Sequence, residues 1–187
     1  MENALWRSRN KTLDKAKQIL RKHALSARPA RSCSPLFATE IVKQTVSDCG
    51  TRKLLQTLDD GQAVESVLIP SHKFDRTTLC VSTQVGCDRG CAFCLTGKMG
   101  LVRSLTAEEI ISQVFRGLQV STENNMPPMT NVVFMGIGDA GRNIANVREA
   151  VECMVDRQRL GMAAGKITVS TVGPHPRPSW RFLRFPV

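Results

Sequence analysis

Three cysteines at C-x3-C-x2-C spacing fall inside one short stretch, Cys87-Asp88-Arg89-Gly90-Cys91-Ala92-Phe93-Cys94. No other feature limits the fold as much, because thiols this close in sequence make sense chiefly around a metal. Thiolate is a soft donor that favours zinc, copper(I) or iron–sulfur clusters. A structural zinc closes with four ligands, and a ferredoxin-type cluster takes four cysteines. Cys87, Cys91 and Cys94 have no fourth ligand nearby, so the trio predicts a centre with one position open to a substrate. Zinc is the competing reading. His72 and His175 are available to it, yet neither has ligand spacing, and a lone histidine is more often a surface or core residue.

The flanking sequence predicts a scaffold for that loop. Thr77 to Thr83 is short and β-branched, a strand delivering the chain to the cysteines, and Gly86 and Gly90 let the loop wrap closely. Thr106-Ala107-Glu108-Glu109 is a capping box that opens an amphipathic helix with Ile110, Ile111, Val114, Phe115 and Leu118 on its inner face. A polar loop follows from Ser121 to Met129. Asn131 to Met135 is apolar enough for a buried parallel strand, and it runs into Gly136-Ile137-Gly138-Asp139-Ala140-Gly141. Ala145 to Leu160 predicts a second helix, with Cys153 beside its core face, and Lys166 to Thr171 a third strand. This order predicts right-handed parallel βαβ units. The cysteine loop and the glycine turn then both leave strand C-termini, where α/β folds place their sites. Gly136-x-Gly138 is incomplete as a dinucleotide fingerprint. At a strand end, however, its glycines let a ligand approach the backbone, and Asp139 is placed to accept from a ribose or an ammonium group. Three strands cannot close a barrel, so an exposed sheet edge is expected.

Upstream, Arg52 to Leu58 and Ala63 to Ile69 flank Asp59-Asp60-Gly61, which predicts a hairpin with a type I′ turn. Val64, Ser66 and Leu68 share one face of the second run; Glu65, Val67 and Ile69 share the other. Glu65 reads locally either as an edge-strand charge that blunts aggregation or as a carboxylate held in a cavity. In the first forty residues nine Lys and Arg, from Arg7 to Arg31, stand against Glu2, Asp14 and Glu40. Thr12 to Leu25 predicts a basic amphipathic helix, Ser26 to Pro35 a linker, and an organellar transit peptide is the alternative for this bias. Cys33 and Cys49 lie outside any ligand spacing. Pro174, Pro176 and Pro178 forbid a helix in the tail.

The chain carries 26 Lys and Arg against 16 Asp and Glu, a formal charge of +10, which suits an anionic partner, nucleic acid foremost. Seven cysteines are an odd number in a chain of 187 residues without a signal-peptide core, so a reducing compartment is expected rather than a disulfide scaffold. No apolar run is long enough to span a membrane.

Cys80-Val81-Ser82-Thr83-Gln84-Val85-Gly86-Cys87, the cysteine triplet, Thr96-Gly97-Lys98, Asn131 to Asp139 and Thr168-Val169-Ser170-Thr171 resemble the radical S-adenosylmethionine enzymes that methylate carbon 2 of adenine in ribosomal and transfer RNA. The resemblance covers roughly Cys49 to Gly173. It implies a partial (β/α)6 barrel of about three strands, preceded by a small hairpin and a basic helix. It implies that Cys87, Cys91 and Cys94 hold three irons of a 4Fe-4S cluster while S-adenosylmethionine chelates the fourth, yielding a 5′-deoxyadenosyl radical. Gly138 and Asp139 match the family's Gly-Glu pair at the cofactor, and Ser170 its serine on the third strand. Glu65 matches the carboxylate that faces the target base, which reverses the local preference for a solvated charge. Cys80 matches a thiol that helps resolve the protein–RNA covalent intermediate. Asp139 and Ala140 depart from the family's Glu and Pro.

The resemblance further implies ribosomal RNA, and also transfer RNA, as partners, an external one-electron reductant of flavodoxin or ferredoxin type, a monomer, and a cytoplasmic location with a plastid or mitochondrial alternative. The expected layout is a basic helical segment and linker over 1–48, a hairpin over 49–76, a partial barrel over 77–173 and a Pro-rich tail over 174–187. The family's methyl-carrying cysteine falls beyond the last residue, so a truncated and inactive chain is one expectation. The alternative function is a non-catalytic, basic RNA-binding fragment with a vestigial iron–sulfur or zinc site.

Overall fold

The computed structural model describes residues 39–173; the basic helix and linker expected before them, Cys33, His175 and the Pro-rich tail lie outside. The strands are β1 (Thr39–Val46), β2 (Arg52–Leu58), β3 (Ala63–Ser71), β4 (Arg76–Cys80), β5 (Gln84–Cys87), β6 (Gly100–Ser104), β7 (Met129–Phe134) and β8 (Ile167–Val169), with helices α1 (Ala107–Glu123) and α2 (Ile144–Val155). Six strands form one mixed sheet in the order β1-β2-β3-β4-β7-β8, and β5 and β6 make a separate two-stranded ribbon. Pairing is antiparallel from β1 to β4 and parallel for β4–β7 and β7–β8.

Alternation along the strands decides which face is dry. Leu54, Val64, Leu68, Leu79, Val132 and Phe134 point to the helix side and pack with Ile110, Val114 and Phe115 of α1 and Val147, Val151 and Met154 of α2. Thr106 caps α1 by accepting from Glu109 N–H, and the Glu109 carboxylate accepts in turn from Thr106 N–H, so the sequence-read capping box is present. Gly117 brings α1 close to β4, because a Cβ there would lie 2.9 Å from the Leu79 side chain.

Several elements differ from expectation for identifiable reasons. The β2–β3 turn is not type I′, since only Gly61 adopts positive φ (+80°) while Asp60 does not. Gly61 N–H donates to Leu58 O, and Leu58 N–H to Gln62 O, which makes a three-residue connection of the bulged kind. β1 lies where a linker was expected to grade into the hairpin, and β3 is an inner strand, so Glu65 is not an edge charge. The β5–β6 ribbon was not foreseen. It exists because Gly86, at φ +74°, lets the chain pass so near Gly100 that a Cβ would sit 2.0 Å from the Gly100 carbonyl oxygen. α2 stops at Val155 instead of reaching Leu160, and β8 is three residues long.

Candidate functional site

Because β4, β7 and β8 are parallel, the segments that leave their C-termini gather at one end of the sheet. These are the chain from Val81 into the cysteine loop, the glycine turn from Met135, and Ser170-Thr171. The first two are joined tightly. Gly136 N–H donates to Val81 O, Thr83 N–H to Ile137 O, and Asp139 N–H to Gln84 Oε1. A Cβ on Gly136 would lie 2.7 Å from Val81 O, and one on Gly138, at φ +96°, 2.6 Å from Gln84 Cβ. The glycines expected to open the backbone to a ligand therefore admit the chain's own neighbouring segment. Asn143 seals the floor by donating to the carbonyls of Thr83 and Leu105.

Cys87 ends β5 and is buried, whereas Cys91 and Cys94 are half-buried on the turn beyond it. The backbone N–H groups of Gly97, foremost, and Thr96 point to the Cys94 sulfur and hold its pKa below that of an ordinary thiol, the form a metal ligand needs. A Cβ on Gly97 would meet the backbone of Gly90 and Cys91 at 3.3 Å, so the loop folds back on itself where glycine stands. Phe93, Leu95 and Met99 are exposed around it.

Two ion pairs cross between the cysteine loop and the glycine turn. Asp88 pairs with Arg142, which holds the Asp88 carboxyl below the usual carboxylate range. Arg89 Nε lies 2.5 Å from Asp139 Oδ2. Asp139 Oδ1 accepts from Gly141 N–H at 3.0 Å, so both carboxylate oxygens are engaged, and its side chain is only 2% exposed. Arg89 Nη2 is buried without a hydrogen-bond partner. Neither Arg89 nor Arg142 was singled out from the sequence; the available signal was two oppositely ordered charges beside a cysteine and a glycine turn.

Glu65 and Cys80 project from the sheet face that the helices leave uncovered. Cys80 stands opposite Val67, one alternation away from Glu65. Glu65 reaches Lys53 Nζ at 2.9 Å across β2, and burial pushes the Cys80 thiol up. Ser170 is exposed just past β8, and its neighbour Thr171 lies against Gly141. A cleft of about 640 Å³ opens between β1, the end of β2 and α1, lined by Glu40, Arg116 and Glu123 among others; none of the site residues expected from the sequence lines it.

Three thiols on one loop suit an iron–sulfur centre in the chemistry of their donors. Among the described residues, however, no group of three or more His, Cys, Asp or Glu side chains is gathered closely enough to hold a metal ion. Among the described residues no helix is long and apolar enough to cross a membrane.

No family model matches the chain. It is similar to the dual-specificity RNA methyltransferase RlmN of Geotalea uraniireducens, 47% identical over 127 residues, which are 68% of this chain and 35% of the relative. Against the protein of the same name from Marinobacter nauticus the identity is 44% over 139 residues, 73% of this chain and 37% of that one. Among solved structures, a radical SAM methyltransferase from Sphaerobacter thermophilus superposes with a TM-score of 0.74 at 35% identity, covering 90% of this chain and 51% of the other. The chain spans about a third of the length of the curated relatives it matches.

Proposed function

Because this chain belongs to the RlmN-type family of radical SAM methyltransferases, we propose that it serves methylation of adenine carbon 2 in ribosomal RNA, and in transfer RNA. The observation that carries this reading is the cysteine triplet at the end of β5 and on the turn beyond it, tied to the glycine turn after β7 at the same end of the sheet. In this reading the parallel strands β4, β7 and β8 would be the first part of a (β/α)6 barrel.

Cys87, Cys91 and Cys94 would hold a 4Fe-4S cluster, with Gly138, Asp139 and Ser170 toward S-adenosylmethionine. When bound, this pair supplies one-electron cleavage of a sulfonium. The chain's own residues do the rest. The Gly97 and Thr96 N–H groups favour Cys94 as thiolate. Glu65, on the uncovered sheet face and paired with Lys53, would turn toward the target base, its carboxylate accepting from the exocyclic amine. Cys80, kept protonated by burial, is a reserve thiol one strand away. A formal charge of +10 over the whole chain favours RNA, and a soluble external reductant, a monomer and a cytoplasmic location complete the reading.

The test is mass spectrometry of RNA from cells with and without the chain. Loss of 2-methyladenosine on its removal is expected, and an unchanged level overturns the activity. A second reading, a non-catalytic RNA-binding chain, draws on the formal charge of +10. It predicts salt-dependent RNA binding that survives replacement of all three cysteines by Ala.

A further inference from the structure

Asp139 is the residue that the proposed function turns toward the cofactor, yet nothing from outside can reach its carboxylate as it stands. One oxygen is held by Gly141 N–H at 3.0 Å and the other by Arg89 Nε at 2.5 Å, with the side chain 2% exposed. The first of these contacts belongs to the turn itself, since Asp139 caps the short helical turn Ala140–Asn143. The second is supplied by a different segment, from fifty residues earlier in the chain. Arg89 is not comfortably seated. Its Nη2 is buried with no acceptor, and an orphaned buried donor opposes the ion pair that places it there. The cysteine loop does not depend on Arg89 alone for attachment, because Asp88 and Arg142 form a parallel tie between the same two segments.

We infer that Arg89 is a built-in occupant of the cation position on Asp139, and that an amino-acid ammonium group gains this carboxylate only by displacing the guanidinium. The inference rests on the reading of Asp139 as a cofactor residue. The exchange is of like for like, one cation for another on a single carboxylate oxygen, with no bond made or broken. Displacement frees Arg89 Nη2 from its unpaired position and leaves the Asp88–Arg142 tie to hold the loop. Removing the guanidinium leaves a buried carboxylate without its cation, and that carboxylate takes up a ligand ammonium more readily.

The experiment uses the full chain reconstituted anaerobically with iron and sulfide, and equilibrium dialysis with S-adenosylhomocysteine, which is unreactive and carries the amino group. Arg89→Gln is expected to bind on the order of tenfold tighter than the wild-type chain. Arg89→Met, which keeps an apolar stem and drops the charge, gives the same gain, and Arg89→Lys stays near wild type. An analogue lacking the amino group shows no gain with any variant. Equal or weaker binding by both Arg89→Gln and Arg89→Met overturns the inference while leaving the cofactor site in place. Absence of binding by the wild-type chain and every variant overturns the underlying reading.

Discussion

Gln113 holds Ser82 by both of that residue's backbone polar groups, accepting from its N–H at 2.9 Å and donating to its carbonyl at 3.0 Å. The Ser82 hydroxyl in turn donates to Glu65 O at 2.6 Å and accepts from Ile137 N–H at 2.9 Å. One residue therefore joins α1, β3, the exit from β4 and the glycine turn. The segment that carries the cysteines is fixed to the scaffold before the loop begins.

Gln113→Leu is expected to destabilise the chain by about 2–4 kcal/mol, because it orphans two fully buried backbone groups at once, each costing roughly 1–3 kcal/mol. Urea unfolding followed by circular dichroism measures this. Gln113 is 0% exposed, so water cannot substitute for the amide, and a loss below about 0.5 kcal/mol contradicts the clamp.

The β5–β6 ribbon depends on Gly86. Its φ is +74°, and a Cβ there would lie 2.0 Å from the Gly100 carbonyl oxygen, which is backbone and has no rotamer to yield. Gly86→Ala is expected to cost about 2–4 kcal/mol, combining left-handed strain with overpacking. Gly90→Ala also meets positive φ but has nothing within 4 Å of a Cβ, so it should cost about 1–2 kcal/mol. Comparing the two by thermal melts separates strain from clash.

Cys49 offers a pH readout away from the candidate site. Hydrogen bonds from Ser47, foremost, and Thr51 lower its thiol from 9.0 to about 7, on an exposed turn between β1 and β2. Burial pushes Cys80 and Cys153 the other way. At pH 7.5 iodoacetamide should modify Cys49 well before Cys80 or Cys153, and Ser47→Ala should slow that reaction several-fold. The folded pKa is depressed, so Cys49 ionisation adds stability as pH rises from about 7 toward the unfolded value of 9.0. That contribution is absent below pH 7, where the thiol is protonated in both states.

The helix-bearing half of the fold was legible because its signals are local. The capping box at Thr106, the apolar period through Phe115 and the buried run at Val132 each state their own structure. β1 was missed although Thr39, Ile41, Val42, Thr45 and Val46 are β-branched, because the basic, Pro-containing stretch before it dominates the local composition. The β5–β6 ribbon pairs Val85 with Arg103 across the whole cysteine loop, and no local pattern announces such a pairing. At the site, spacing identified the thiols and the glycine turn. It could not show that Arg89 and Arg142 cross to Asp139 and Asp88, since those contacts span fifty residues and arise only once β4 and β7 are side by side.

The cysteine loop yields the last prediction, which concerns metal loading rather than turnover. Anaerobic reconstitution with iron and sulfide should give a coloured protein, and single replacement of Cys87, Cys91 or Cys94 by Ser should reduce retained iron roughly tenfold. Cys49→Ser and Cys153→Ser should leave it unchanged, as neither lies on the loop. A bound cluster would tie together a loop whose outer cysteines, Cys91 and Cys94, are half-buried, so amide hydrogen exchange over residues 88–99 should slow on reconstitution and recover when a chelator strips the iron. Unchanged exchange despite full iron content would mean that the metal sits elsewhere. Iron retention unaffected by all three serine variants would remove the cluster from the loop.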